Sequence, residues 1–286
     1  MNKEFKERLL NDKKAFDILG LKYLTPEDKR AANYVANSLG DIKTGAIVSK
    51  KTVLFEDIFH KSVANMKIFG DDISLSSFRF SLVSFLPIIN YSYAYMTHII
   101  FDVDDKTMQV DRESGRVESF KIPKKMDEVT ADIFLTHEFI HGLKDVNYNE
   151  YILVNSLGDV IPLFYEMIQV ENDVRKKEFL NIRMNLLNNE RYSYIDVSTR
   201  MKKSKNDKDL YKVVQSRSGE YLNSFYYALG LYHIYRKNPK RILELVKKVL
   251  NKEITTLDML LYLGIYHVNL DREFSYELNE IRKVLK

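Results

Sequence analysis

The residues with the clearest capacity for chemistry lie in LTHEFIHGLKD, residues 135–145. His137 and His141 stand four positions apart, and Glu138 directly follows the first histidine. On an α-helix, residues four apart share a face, so both imidazoles can bind one metal ion. Glu138 is rotated by about 100° and can reach a water molecule on that ion rather than the ion itself. The pattern predicts a zinc site in which the metal lowers the pKa of its water to about 7 and Glu138 accepts the proton as general base.

A catalytic zinc ion needs a third protein ligand. No histidine follows HExxH at the short range typical of metzincins, so an acidic residue on a second helix is expected. Glu166, 25 residues after His141 in the apolar stretch PLFYEMIQ, is the best candidate, because a carboxylate in such surroundings needs a cation. Glu171 and Asp173 are the next candidates. Asp173 and Asp145 could alternatively orient a ligand histidine.

HExxH with a glutamate 25 residues later resembles the gluzincin metallopeptidases. This spacing is similar to that of the thimet oligopeptidase and oligoendopeptidase F family in particular. The resemblance covers residues 134–175 and 217–236. It implies roles for four residues: zinc ligands at His137, His141 and Glu166, and a general base at Glu138.

That family also has a late tyrosine-rich helix whose hydroxyls stabilise the oxyanion of the tetrahedral intermediate. The stretch GEYLNSFYYALGLYHIY, residues 219–235, is similar to it. By this resemblance Tyr221 and Tyr226 would be the oxyanion donors. Tyr227, Tyr232 and His233 are competing donors, and an aromatic stripe of this kind is also typical of core packing.

Helical periodicity dominates the chain around these residues. In TPEDKRAANYVANSL, Thr25 is predicted to cap a helix that begins at Pro26. Residues 1–90 are predicted to form a helical N-terminal cap, and residues 124–286 a helical zinc-binding and C-terminal lobe. Two amphipathic helices, around residues 240–251 and 256–267, are expected to close the chain.

Residues 91–123 break the helical pattern with short runs of β-branched and aromatic residues. They predict a small antiparallel sheet before the active-site helix, and THIIFDV or GRVESF could provide an edge strand for an extended peptide. The expected fold is mainly α, of α+β class, with a zincin-like catalytic core. The whole chain, residues 1–286, is expected to be a single compact catalytic unit.

Bulk composition narrows the class of protein. The 44 basic and 40 acidic residues nearly cancel, which argues against a nucleic-acid partner. The chain has no cysteine, so neither disulfides nor thiolate metal ligands are available. The first twenty residues lack the apolar core of a signal peptide, and no stretch is long enough to span a bilayer. A cytoplasmic location without membrane insertion is expected, and the oligomeric state stays open.

These observations favour a zinc-dependent metallopeptidase that hydrolyses short or unfolded peptides. Two alternatives remain. One is a non-catalytic zinc-binding regulatory or structural module. The other is a narrowly specific effector protease of a phage or mobile element.

Overall fold

The structure is a computed structural model that describes part of the chain. The described residues are 24–40, 42, 52–54, 98–101, 107–110, 117–122, 125–127, 129, 133, 137, 140, 157–171, 173–203, 208–250 and 253–286.

The described backbone forms helices and short strands. The helices are α1 (Pro26–Leu39), α2 (Val160–Glu171), α3 (Lys176–Lys203), α4 (Lys208–Lys237), α5 (Pro239–Leu250), α6 (Thr256–Tyr262) and α7 (Asp271–Leu285). The strands are β1 (Thr52–Leu54), β2 (His98–Phe101), β3 (Thr107–Val110), β4 (Val117–Ile122) and β5 (Lys125–Asp127).

Helix α4 is the centre of the helical core. It packs against α1, α2, α3, α5 and α7. Every residue from Leu222 to Leu231 is buried, as expected for a helix that other helices surround on all sides. Side chains on α4 therefore face different neighbours according to their helical position, and this decides which of its tyrosines can share a site.

Helix α1 begins as the sequence predicts. The Thr25 hydroxyl accepts a hydrogen bond from the Asp28 amide, and the Asp28 carboxylate accepts one from the Thr25 amide, which together form a capping box. Ala31, Val35 and Leu39 then recur on one buried face against the core. The predicted cap and helix start are confirmed. The rest of the predicted N-terminal cap, apart from residues 42 and 52–54, lies outside the described residues.

The prediction of an α+β fold with a small antiparallel sheet is wrong. Helices account for 83% of the residues whose burial is described, and none of those residues lies in a strand. The strands β2, β3 and β4, for which the backbone is described, do not form the predicted sheet either. β2 pairs with β4 in parallel, whereas β3 pairs with β4 antiparallel, in the order β2-β4-β3.

The error has a physical reason in strand pairing. Alternation and turn residues predict where strands begin and end, but the partner of each strand depends on tertiary contacts. β4 has a neighbour on both sides, so GRVESF is not an edge strand, while β2 lies at one edge of the sheet that the described strands form. β1 and β5 form a separate antiparallel pair.

None of the helices in the described part of the chain is both long enough and apolar enough to cross a membrane.

Candidate functional site

The candidate site is centred on His137. Val129, Ile133, His137 and Ile140 are all helical and all buried, so they mark the inward face of the segment that carries HExxH. The His137 Nδ1 atom lies 2.8 Å from Oε1 of Glu166, a residue 29 positions later in the chain. The structure therefore brings together two of the three predicted zinc ligands. Glu138 and His141 lie outside the described residues.

Glu166 is the buried carboxylate of the site. It lies on α2 among apolar residues and is completely inaccessible to solvent. Its Oε1 accepts a hydrogen bond from Arg183 and faces His137, while its Oε2 has no hydrogen-bond partner among the described residues. A buried carboxylate oxygen without a partner is costly. It is the kind of atom that a cation or a further donor would satisfy.

Arg183 is the counter-charge of Glu166. It lies on α3 with 1% of its surface exposed, and its guanidinium donates to Glu166 and to the hydroxyl of Tyr221. Burial alone would lower the pKa of the guanidinium, but Glu166 and Tyr221 counteract this and raise the pKa above its ordinary value. Arg183 is therefore charged and joins α2, α3 and α4 at one point.

Tyr221 completes this cluster from α4. Its ring centroid lies 6.3 Å from that of His137. Burial raises the pKa of Tyr221 well above its ordinary value, although Arg183 acts in the opposite direction. The hydroxyl therefore keeps its proton at neutral pH. Because the oxygen accepts from Arg183, that proton can be donated to another acceptor.

Asp159 occupies the other side of His137. Its Oδ1 lies 3.1 Å from Nε2 of His137, and 24% of its side chain is exposed. Asp159 directly precedes α2, and its carbonyl accepts a hydrogen bond from the Leu163 amide. The imidazole of His137 is thus held between two carboxylates.

Tyr226, the second predicted oxyanion donor, lies elsewhere. It lies five positions after Tyr221, which corresponds to a rotation of about 140° on a helix. Its hydroxyl accepts hydrogen bonds from Arg30 and from the Leu270 amide and donates to Asp271. Tyr226 therefore connects α1 and α7 rather than facing His137.

The other described candidates have their recorded contacts with other residues. The Tyr227 hydroxyl accepts from the amide of His267, and His233 contacts Glu277. The Tyr232 ring stacks on Tyr235, and Glu171 lies beside Tyr232. Asp173 accepts hydrogen bonds from Arg175. Asp145 lies outside the described residues.

Sequence reasoning missed Arg183 and Asp159. Arg183 carried a usable signal, because it interrupts the apolar neighbours Leu180, Ile182 and Met184 in the same way that Glu166 interrupts its own. Asp159 carried none beyond its position before a helix.

A zinc ion needs several ligands at suitable distances from one another, and the described residues provide only part of such a set. Among them, no group of three or more histidine, aspartate and glutamate side chains is arranged to hold a metal. Two ligand atoms of a tetrahedral zinc ion stand roughly 3.3 Å apart, given zinc–ligand distances of about 2.0–2.2 Å. The contacts of His137, at 2.8 Å to Glu166 and 3.1 Å to Asp159, are close to this separation. His137 and one carboxylate could therefore supply two ligands of a zinc ion, and the further ligands would have to come from outside the described residues.

No protein-family model matches the sequence, and comparisons with curated proteins and with solved structures found no match. The resemblance to the thimet oligopeptidase family therefore stays a prediction from the motif. The functional argument depends on the chemistry of the cluster around His137.

Proposed function

We propose that the protein is a zinc-dependent metallopeptidase. His137 and His141 hold the zinc together with a carboxylate from the α2 region, for which the sequence predicts Glu166. Glu138 is the general base. The contact that carries the proposal is the one between His137 and Glu166, two buried ionisable residues 29 positions apart that the sequence predicts as ligands of one ion.

The chain's own residues have distinct tasks in this reaction. When bound, the zinc supplies positive charge that polarises the substrate carbonyl and acidifies the attacking water. Glu138 takes the proton of that water and delivers it to the leaving amine. Tyr221 donates its hydroxyl proton to the developing oxyanion, and Arg183 fixes the position of that hydroxyl.

The strand arrangement supports short or unfolded peptides as the substrate class. Among the described strands, β2 has a neighbour on one side only, so an extended peptide could pair with its other side through backbone hydrogen bonds. Pairing of this kind requires a substrate without secondary structure of its own. Short or unfolded peptides meet that condition.

The proposal is tested by zinc content and peptide cleavage measured on the same preparations. We expect about one zinc per wild-type chain and cleavage of a mixed peptide library. His137→Ala should lose both, while Glu138→Gln should keep its zinc and lose cleavage. A library cleaved by Glu138→Gln as fast as by wild type would refute the proposed base. Cleavage confined to one sequence would favour the narrowly specific effector protease.

A second candidate is a non-catalytic module in which this cluster is only structural. The observation that favours it is the ion pair between Glu166 and Arg183, which gives the buried carboxylate a counter-charge without any metal. A wild-type protein that binds zinc but cleaves no peptide would favour a non-catalytic zinc-binding module, and one that stays zinc-free after zinc is added would exclude the peptidase.

A further inference from the structure

The helical core contains a cavity that shares no lining residue with the cluster around His137. It has a volume of about 130 Å³ and lies where α2, α3, α4 and α7 meet. Its apolar lining consists of Met167, Val170, Leu180, Leu229, Ile281 and Val284. Among the residues that line it, Leu229 is fully buried, whereas 40% of the Arg236 side chain and 39% of the Glu280 side chain are exposed. The cavity therefore extends from the core to the solvent.

The size of the cavity restricts the ligands that it can hold. An apolar protein cavity of about 150 Å³ binds one benzene molecule. A volume of about 130 Å³ is slightly smaller, so it accommodates one branched or unbranched side chain of four carbon atoms but no long alkyl chain. The polar part of such a ligand then remains at the rim.

Five charged side chains line the cavity, and three of them are paired within the protein. Glu277 is 2% exposed, accepts a hydrogen bond from Arg236 at 3.2 Å and lies 2.8 Å from His233. Glu280 forms an ion pair with Lys283 at 2.6 Å. A ligand could use these groups only by disrupting existing pairs. They are therefore part of the wall and not the groups that would recognise a ligand.

Glu171 and Lys176 are the two remaining charges, and both are partly exposed. Glu171 is the last residue of α2. Burial and, after it, the neighbouring Glu171 carboxylate raise the pKa of Tyr232, which places this carboxylate beside the phenol. Lys176 is the first residue of α3 and is close enough to Glu280 to act on it electrostatically. In the described part of the chain, neither Glu171 nor Lys176 forms a direct ion pair.

This arrangement matches a ligand that carries both charges. A carboxylate accepts hydrogen bonds and an ammonium group donates them, and bonds between two charged groups are the strong ones. A purely cationic ligand would lie near Lys176 and Arg236 without an anion to offer them. A purely anionic ligand would lie near the carboxylates of the wall. An α-amino acid has one ammonium and one carboxylate group at neutral pH, so it satisfies both sides.

We propose that this cavity binds a free α-amino acid with an apolar side chain of about the size of leucine. Glu171 binds the α-ammonium group and Lys176 binds the α-carboxylate. The apolar lining surrounds the side chain. The inference goes beyond the proposed peptidase function and does not depend on a metal ion.

Calorimetric titration of the full-length wild-type protein tests the ligand class, with a chelator present to exclude any contribution from metal. The probes are L-leucine, L-leucinamide, which lacks the carboxylate, and 4-methylpentanoate, which lacks the ammonium group. All three have the same isobutyl group. We expect saturable binding of L-leucine and binding of the other two that is about tenfold weaker or more, because each loses a hydrogen bond between charged groups.

Three results on the wild-type protein would overturn the proposal. The first is the absence of saturable L-leucine binding at millimolar concentrations. The second is L-leucinamide binding as tightly as L-leucine, which would make the cavity a site for cations or for peptide N-termini. The third is 4-methylpentanoate binding as tightly as L-leucine. None of these measurements depends on a variant that folds.

Two variants assign the roles of the charged residues. Glu171→Gln should bind L-leucine about tenfold more weakly and should no longer distinguish it from 4-methylpentanoate. Lys176→Gln should weaken L-leucine binding to a similar extent and should no longer distinguish it from L-leucinamide. Glu178→Gln and Lys177→Gln are the matched controls, because both residues are exposed in the first turn of α3 and neither lines the cavity. Equal losses in a variant and its control would overturn the assignment.

The outcome is also distinguishable from that of the proposed function. A wild type that cleaves peptides with zinc but binds no L-leucine would overturn this inference and leave the peptidase in place. L-leucine binding with the expected probe pattern in a protein that takes up no zinc would support this inference and exclude the peptidase.

Discussion

At the scale of single residues, the Glu166–Arg183 pair dominates the energetics of the site. Both side chains are withdrawn from water, and each provides the other's compensating charge. Replacing such a pair with apolar groups can cost little, whereas removing one member leaves a buried charge that nothing neutralises. The pair should therefore behave as a unit in mutagenesis.

A double-mutant cycle tests this coupling. Glu166→Gln and Arg183→Met should each lower the free energy of unfolding by about 3–5 kcal/mol. The double variant should be more stable than the sum of the two losses implies, because neither charge is then left alone. Urea denaturation with a chelator present measures all four proteins without a contribution from metal. Strictly additive losses would contradict the buried pair.

Tyr221 has a separate prediction, because its ring lies 6.3 Å from that of His137 and its hydroxyl belongs to the same cluster. Tyr221→Phe should lower kcat for peptide hydrolysis by about 10²–10³-fold, the usual effect of removing one oxyanion donor. Its zinc content should equal that of wild type. Tyr226→Phe is the matched comparison on the same helix, and we expect it to retain its turnover. A kcat that falls equally in both variants would contradict the assignment of Tyr221.

At the scale of elements, the end of α6 shows how one glycine stops a helix. The Gly264 amide donates to the Leu261 carbonyl and the Ile265 amide donates to the Leu260 carbonyl, which is the Schellman pattern. Gly264 has a φ of 68°, in the left-handed region that this pattern requires. The sequence predicted a helix over residues 256–267, but the observed helix ends at Tyr262 for this reason.

Gly264→Ala should therefore lower the free energy of unfolding by about 1–2 kcal/mol, the conformational cost of the left-handed region for a residue with a Cβ. A Cβ at this position would meet nothing within 4 Å, so steric clash makes no contribution. Thermal unfolding of wild type, Gly264→Ala and Gly264→Asn measures the effect. Asn should lose less than Ala, because it tolerates this conformation better, and an Ala variant as stable as wild type would disprove the explanation.

Helices and caps with local signals could be predicted from the sequence, whereas pairing between elements could not. Thr25 and Pro26 determine where α1 begins, and both lie within one turn of its first residue. Helix α7 lies in the segment predicted to be helical, and Phe274, Leu278 and Ile281 recur at helical spacing, but the sequence prediction gave it no bounds of its own. The order β2-β4-β3 depends on contacts between distant segments and leaves no local signal.

The same distinction applies to the site. His137 and Glu166 could be selected from the sequence, because the motif and the apolar surroundings are local. Arg183 lies 17 residues from Glu166 and 38 from Tyr221, so its role emerges only when α2, α3 and α4 pack together. Tyr226 was assigned to the site because the resemblance identifies a helix and not the direction of each side chain on it.

At the scale of the whole molecule, Tyr226 joins the N-terminal helix to the C-terminal one. Arg30 of α1 and Asp271 of α7 form an ion pair at 3.0 Å, and both contact the Tyr226 hydroxyl. Burial, followed by the hydrogen bond to Asp271, raises the pKa of Tyr226 to about 12 from its ordinary 10.0, despite the opposing effect of Arg30. The folded protein therefore favours the protonated phenol.

This shift predicts a loss of stability in alkali. Because the folded-state pKa exceeds that of the unfolded chain, the contribution of Tyr226 is complete below pH 10 and is lost as the pH rises towards 12. Tyr226→Phe should be less stable than wild type at pH 8 by about 1–2 kcal/mol, since the Leu270 amide loses its partner. The difference between the two proteins should shrink between pH 10 and 12 in denaturant titrations. A constant difference across that range would rule out this contribution.

The hydrogen-bonded cluster of Glu166, Arg183 and Tyr221 also has an evolutionary consequence. Each of the three sits on a different helix, and each is held by hydrogen bonds to the next. A single substitution at position 166 or 183 leaves an uncompensated charge inside the core. Both positions must therefore change nearly together for the arrangement to be lost during evolution. Sequences descended from a common ancestor with this chain should therefore show these two positions varying as a correlated pair, with substitutions at position 221 following those at position 183.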